Sequence, residues 1–167
     1  LLEQSLMDVR SGLTETRRAL RDLRAQSLED LGLVIGLQNL AADAAQRSQF
    51  ALDLRLAADL PEISPDLEHC IYRVAQEALE NIVRHAQAQR VKVELLCAAD
   101  RACKRLILTI QDDGLGFDST AKVDEDHFGL QGMREWAVSV GGKLEVSSQP
   151  QNLSLIHISE PTRLLRS

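Results

Sequence analysis

The sequence predicts an α+β fold, a two-layer α/β sandwich in which helices cover one mixed sheet. Two kinds of local pattern predict it: short stretches of alternating apolar and polar residues are typical of half-buried strands, and longer stretches with apolar residues three and four apart are typical of helices. Some strands also follow one another with no helix between them, which favours a layered sandwich over a doubly wound parallel sheet.

The composition narrows the class of protein. Of the 167 residues, 44% are hydrophobic and 26% charged, as in an ordinary soluble domain. The net charge of −6 argues against a general polyanion-binding surface, so nucleic acid is not a predicted partner. No apolar run approaches the roughly 20 residues that cross a bilayer, and we expect this chain to be cytoplasmic. Cys70, Cys97 and Cys103 lack metal-ligand spacing and are interpreted as reduced structural thiols.

The first 27 residues predict one long helix. Apolar or near-apolar residues recur at alternating steps of four and three, the seam of a helix that pairs in a bundle: Leu2, Leu6, Val9, Leu13, Thr16, Leu20 and Leu23. A helix packed on its own domain is the alternative. The seam starts at Leu1 with no capping residue before it, so we expect the natural protein to continue upstream.

The remaining elements alternate along the chain. An amphipathic stretch at about 28–48 precedes a half-buried strand at 50–56, and Ser64 and Pro65 predict the start of a helix that runs to about 88. Two strands, VKVELLC and LILTI, are separated by a predicted polar turn at 99–104. A last helix ends at Gly141 and Gly142, before the strand KLEVSS.

Three motifs carry residues suited to chemistry. In YRVAQEALENIVRHAQA, the side chains of Glu77, Asn81 and His85 stand four residues apart on one stripe of a helix. An amide oxygen is a suitable hard ligand for Mg²⁺, which keeps most of its waters and needs few protein oxygens. Taken alone, the stripe is a weak signal, because a solvated polar face explains most stripes of this kind.

The other two motifs are rich in glycine. DDGLGF follows the strand LILTI, where glycines let the backbone approach a ligand and an aspartate can accept a hydrogen bond from an exocyclic amine. HFGLQGMRE is predicted to open a helix whose free amides, near Gly129 and Gly132, could meet phosphate oxygens. An ordinary Asp-Gly turn and simple helix initiation are the structural alternatives.

The order and spacing of these motifs resemble the nucleotide-binding boxes of the GHKL ATPase superfamily, in its histidine-kinase branch. QEALENIVRHA is similar to the asparagine box, DDGLGF to the DxGxG box and FGLQGMRE to the second glycine box, with a lid of about ten residues between the last two. More narrowly, they resemble sensor kinases that signal to NarL-type response regulators. The predicted domains are 1–27, the second helix of a dimerisation bundle; 28–150, an ATP-binding catalytic domain; and 151–167, an atypical tail.

The resemblance implies a role for each matching residue. Asn81 would be the Mg²⁺ ligand, with Glu77 the nearby carboxylate, and these two are the implied catalytic residues. Asp112 would accept a hydrogen bond from the exocyclic amine of adenine. The other residues implied to bind ATP line the base pocket or cover the phosphates: His85, Gly114, Gly116, Gly129, Leu130, Gly132 and Met133.

The resemblance also implies a reaction and partners. Such kinases transfer the γ-phosphoryl group of ATP to a bundle histidine, and from there to an aspartate of a response regulator. None of His69, His85, His127 and His157 lies in the context of that acceptor, so we expect the acceptor, and any membrane segment, upstream of Leu1. The implied assembly is a homodimer through the N-terminal helix. The alternatives are a GHKL serine kinase acting as an anti-sigma factor and a non-catalytic nucleotide-binding or dimerisation module.

The C-terminal tail departs from the family pattern. After KLEVSSQPQ, a Gly-Thr pair leading into a last strand is expected, but NLSLIHISEPTRLLRS follows. We interpret this segment as foreign to the domain. Leu153, Leu155 and Ile158 alternate well enough to predict, at most, a poor strand at the edge of the sheet.

Overall fold

The computed structural model describes residues 32–58, 60, 62–100, 103–116, 125–147 and 154–162. The predicted bundle helix of residues 1–27 and most of the predicted lid lie outside these ranges. Within the described ranges, three α-helices and five strands follow in the order helix, strand, helix, strand, strand, helix, strand, strand. Their bounds are 32–48 (α1), Ala51–Leu56 (β1), Pro65–Asn81 (α2), Arg90–Asp100 (β2), Cys103–Asp112 (β3), Glu125–Ser139 (α3), Lys143–Ser147 (β4) and Ser154–Thr162 (β5).

The five strands form one mixed sheet in the order β1-β2-β3-β5-β4. Strand β1 runs parallel to β2, and every other neighbouring pair is antiparallel. The parallel pair is joined through α2, whereas β2 and β3 follow each other directly. The mixed sheet and its helices confirm the predicted fold class.

The helices pack on one face of the sheet. Val91, Val93 and Leu95 of β2 are buried, and they stand opposite Asp112, Ile110 and Leu108 of β3. The intervening residues of these strands are more exposed, because successive side chains of a strand point to opposite faces. The buried face is covered by the apolar stripes of the helices, which include Leu33, Leu37, Ala41 and Ala44 of α1, Ile71, Val74, Ala75 and Ala78 of α2, and Met133 and Ala137 of α3.

Helix α2 begins as its sequence predicts. The side chain of Ser64 accepts a hydrogen bond from the amide of Leu67, and Pro65 occupies the first turn, where its missing N–H has no intrahelical partner to lose. The helix is predicted to end at about residue 88, and helical structure does continue to Ala86, but not all of it is α-helical. Residues Ile82–Ala86 make a π-helical turn, which Gln87 ends with a φ of 50°.

The predicted polar turn at 99–104 is wrong in length. Strand β2 continues to Asp100 and β3 starts at Cys103, and these two residues pair across the ladder. Backbone pairing is indifferent to side-chain polarity, so two strands already in register extend their ladder as far as the connection allows.

The tail is the largest departure from prediction. Its strand β5 is not an edge strand, because it lies between β3 and β4 and pairs antiparallel with both. Without it, the facing edges of β3 and β4 would present unpaired backbone groups. An alternating segment that follows β4 in the chain can fill that space whatever its origin.

Helix α3 ends at the predicted glycines. Gly141 has a φ of 79°, a conformation that residues with a Cβ rarely adopt, and its amide donates to the carbonyl of Val138. The amide of Gly142 donates to Ala137, which closes the helix before β4. Within the ranges described, none of the helices combines the length and apolar character needed to cross a membrane.

Candidate functional site

The stripe of Glu77 and Asn81 lies along α2, beside the face that packs on the sheet. Both residues are half-buried, whereas His85 is exposed. The predicted four-residue spacing holds in α-helical form only up to Asn81, because the π turn begins at Ile82. Single π turns occur frequently at functional sites. Here the π turn ends at Ala86, whose carbonyl accepts a hydrogen bond from the loop after β3.

Strand β3 ends with a buried carboxylate. Asp112 is 2% exposed and is the only charged residue among those described that counts as buried. It lies on the helix-covered face of the sheet, opposite Val91. Its Oδ1 accepts a hydrogen bond from the amide of Gly114 at 2.9 Å. The carboxylate is therefore held by its own loop at the end of the strand.

The π turn that follows α2 is hydrogen-bonded directly to the loop after β3. The amide of Leu115 donates to the carbonyl oxygen of Ala86 at 2.7 Å. A Cβ on Gly114 would overlap that carbonyl oxygen and lie 2.8 Å from the carbonyl carbon, closer than real Cβ atoms come. Glycine is thus required at residue 114 by a close approach of two backbones.

A second close approach joins α2 to α3. A Cβ on Gly129 would overlap Oε1 of Glu77 and lie 3.2 Å from its Cδ. The carboxylate of Glu77 therefore occupies the space that a larger residue at 129 would fill. Taken together, the two contacts bring α2 and the π turn that follows it against one glycine of each predicted box.

The helix of the second glycine box differs from the prediction. Gly129 is the fifth residue of α3, which already begins at Glu125, so it lies beyond the four amides left free at a helix start. The expected exposure of free amides beside Gly129 and Gly132 is therefore wrong for this helix. A Cβ on Gly132 would meet only the ring of Trp136, at 3.9 Å.

The structure describes the surroundings of three further predicted residues. Met133 is fully buried and Leu130 is 8% exposed, so their side chains pack in the core. Gly116 has a φ of 63°, in the region that favours glycine. Their assignment to a nucleotide pocket stays a prediction. The lid between the two glycine boxes lies outside the described residues as far as residue 124.

Two interactions near the site were not predicted. Asp113 accepts hydrogen bonds from the amides of Gln89 and Arg90 and from the Arg90 side chain. Partial burial by itself raises the pKa of Asp113, but these hydrogen bonds and the Arg90 charge lower it more, and the pKa lies below its usual value. The doubled acid of DDGLGF was the only sequence signal for this contact.

The second unpredicted interaction lies one residue before Asn81. The carboxylate of Glu80 accepts from Arg47 of α1 at 3.1 Å and from Arg84 at 3.0 Å. Partial burial raises the pKa of Glu80, but the two guanidiniums lower it more, so the net shift is downward. This pairing ties α1 to the end of α2.

Known proteins with similar sequences include sensor kinases. The chain is 33% identical over 153 residues to the signal transduction histidine-protein kinase/phosphatase DegS of Brevibacillus brevis, covering 92% of this chain and 38% of that protein. It is 30% identical over 148 residues to the sensor histidine kinase ComP of Bacillus subtilis, covering 88% of this chain and 18% of ComP. The chain thus spans well under half the length of these relatives.

A solved structure and a family model give the same result as these sequence relatives. The blue-light activated histidine kinase of Erythrobacter litoralis EL346 superposes with a TM-score of 0.68 at 19% identity, over 90% of this chain and 55% of that one, which shows a shared fold. The family model for histidine kinase-, DNA gyrase B- and HSP90-like ATPases matches residues 66–163, more than half of the chain. The resemblance read from the three motifs is confirmed, and the chain belongs to this ATPase family.

Proposed function

We propose that this chain is the ATP-binding catalytic part of a two-component sensor histidine kinase. It would bind ATP and present the γ-phosphoryl group to a histidine on a dimerisation bundle, for relay to an aspartate of a response regulator. One observation carries the proposal beyond family membership. The asparagine-bearing helix is in contact with both glycine boxes, through Ala86 with Gly114 and through Glu77 with Gly129.

The adenine would be recognised by Asp112. A carboxylate only accepts hydrogen bonds when ionised, and its two oxygens offer about four acceptor positions. Asp112 accepts the Gly114 amide through Oδ1, and in the proposed complex its carboxylate would also accept a hydrogen bond from the exocyclic amine of adenine. Gly114 and Gly116 would line the base, where backbone without side chains leaves room for a flat ring.

The residues at the phosphate end suit Mg²⁺. Asn81 supplies an amide oxygen on a half-buried helix face, and Glu77 supplies a carboxylate one turn away. The Glu77 carboxylate lies where a Cβ on Gly129 would be, so this part of the site is shaped around an acidic group. Asn81 would hold the ion, which when bound neutralises charge on the triphosphate.

The chain's own contribution to the reaction would be positioning. In phosphoryl transfer the protein forms few covalent bonds and acts mainly by orientation and electrostatics. Asp112 would fix the base, Asn81 and Glu77 the phosphate end, and the glycines would let the backbone come close. His85, exposed at the end of α2, would lie near the phosphates.

The partners follow from the proposed reaction. The phosphoryl group would reach a response regulator of the NarL type, and residues 1–27 would pair in a homodimer. The domain would act on the cytoplasmic side of the membrane, where ATP and the response regulator are found.

Calorimetric titration with ATP tests the site. We expect binding to wild type to tighten when Mg²⁺ is added, and Asn81→Ala to lose most of that gain because the amide ligand is removed. Asn39→Ala is the matched control, since it removes an exposed amide from α1. Equal affinity with and without Mg²⁺ in all three proteins would contradict the assignment of Asn81.

A second measurement tests the kinase reaction itself. Labelled ATP is incubated with this chain and a separately produced dimerisation bundle that carries an acceptor histidine. We expect acid-labile label on the bundle, since phosphohistidine is acid-labile, and less of it with Asn81→Ala. Tight ATP binding with no transfer would favour the non-catalytic module.

A further inference from the structure

The carboxylate of Asp113 closes a ring of hydrogen bonds outside the core. Its Oδ1 accepts from the backbone amides of Gln89 and Arg90, at 2.8 and 2.7 Å. Its Oδ2 accepts from Nε of Arg90 at 2.9 Å. In return, the amide of Asp113 donates to the carbonyl of Arg90 at 3.2 Å. One side chain thus fixes the loop after β3 to the first residue of β2.

This ring acts together with the contact at Ala86. Leu115 donates to the Ala86 carbonyl, two residues after Asp113. The loop is therefore held on both sides of Gly114 by one short segment, residues 86–90. That segment joins the π turn after α2 to β2. It therefore sets the distance between Glu77 and Asn81 on α2 and the loop that follows Asp112.

We propose that Asp113 is a positioning residue that sets the adenine selectivity of the site without touching the nucleotide. It would do so by fixing the backbone on either side of Asp112 and Gly114, so that the Asp112 carboxylate is aimed at one place. This inference rests on the proposed ATP-binding function and adds to it a residue for which the three motifs gave no role.

The surroundings of Asp113 indicate that it holds the loop in position and contributes little to the stability of the whole domain. Its side chain is 27% exposed and that of Arg90 is 79% exposed, so neither belongs to the hydrophobic core. Exposed ion pairs contribute little to global stability. Two of the three hydrogen bonds come instead from backbone amides, and a charged acceptor makes such bonds about twice as strong as neutral ones. The low pKa of Asp113 agrees with a carboxylate held ionised by these donors.

The test compares the binding of ATP with that of GTP. Guanine carries an oxo group where adenine carries the amine that would donate a hydrogen bond to Asp112. Dissociation constants for both are measured by calorimetry on wild type, Asp113→Ala and Asp113→Asn. Asp66→Ala is the matched control, since it removes an exposed aspartate from the first turn of α2, at the opposite end of that helix from Asn81. Thermal unfolding is followed on all four proteins.

We expect wild type and Asp66→Ala to prefer ATP over GTP to the same degree. Asp113→Ala should bind ATP about tenfold more weakly, with a smaller change for GTP, so that the preference falls. Asp113→Asn should lie between, because its amide oxygen can still accept from the two backbone amides.

Three results would overturn the inference. The first is an unchanged ratio of ATP to GTP affinity in Asp113→Ala, whether or not both affinities fall with the melting temperature. If that variant does not fold, an unchanged ratio in Asp113→Asn has the same force. Wild type that binds ATP with no preference over GTP, or does not bind it, would overturn the proposed function as well.

Discussion

The contact between Gly114 and Ala86 gives the sharpest prediction about the site. In Gly114→Ala the new Cβ would overlap the Ala86 carbonyl oxygen and lie 2.9 Å from the Ala86 Cβ. Two of the three nearest atoms are backbone, which cannot rotate away as the end of a side chain can. The loop after β3 must therefore move off the end of α2.

The size of the effect follows from the bonds that this movement strains. They are the 2.7 Å hydrogen bond from Leu115 to Ala86 and the 2.9 Å bond from Gly114 to Asp112. Each is worth roughly 0.5 to 1.5 kcal/mol, so their loss amounts to about 1 to 3 kcal/mol. Carried fully into binding, this is a loss of about 5-fold to 150-fold in ATP affinity.

Calorimetric titration with ATP and chemical denaturation measure the two consequences on the same samples. Ile71→Val is the control, since it removes a methylene from a residue 1% exposed in the core and costs roughly 0.5 to 1.5 kcal/mol of stability. We expect it to lower stability and leave ATP affinity unchanged. The reasoning is refuted if Gly114→Ala binds ATP within about twofold of wild type.

Three further predictions concern α2 and its neighbours. Gly129→Ala should displace the Glu77 carboxylate and weaken ATP binding measured with Mg²⁺, while stability holds or rises, because alanine favours a helix interior by about 1 kcal/mol. Ser64→Ala should lower the free energy of unfolding by about 1 kcal/mol in urea titrations, because the cap on the Leu67 amide is lost. The lowered pKa of Glu80 stabilises the fold above its usual value of 4.5, and this contribution is lost as the pH falls through the folded-state pKa. The stability difference between wild type and Glu80→Gln should therefore shrink as the pH is lowered below 4.5, and a constant difference would contradict the pairing.

Much of the local structure could be predicted, because its causes lie within a few residues. Ser64 and Pro65 start α2, Gly141 ends α3, and alternation marks β1 to β3, as the structure confirms. The identity and order of the three boxes also belong to the sequence. Residue types and spacing indicated the ATPase family before any contact was known.

Contacts between distant segments could not be predicted, because no local pattern specifies them. Whether β5 lies at an edge or between β3 and β4 depends on which backbone groups remain unpaired after the rest of the sheet has formed. The contact of Glu77 with Gly129 and the ring around Asp113 depend in the same way on how helices pack on strands. The sequence by itself determined which residues are available for chemistry, and the tertiary structure decided which of them meet, since a close approach of two backbones exists only after both have been packed.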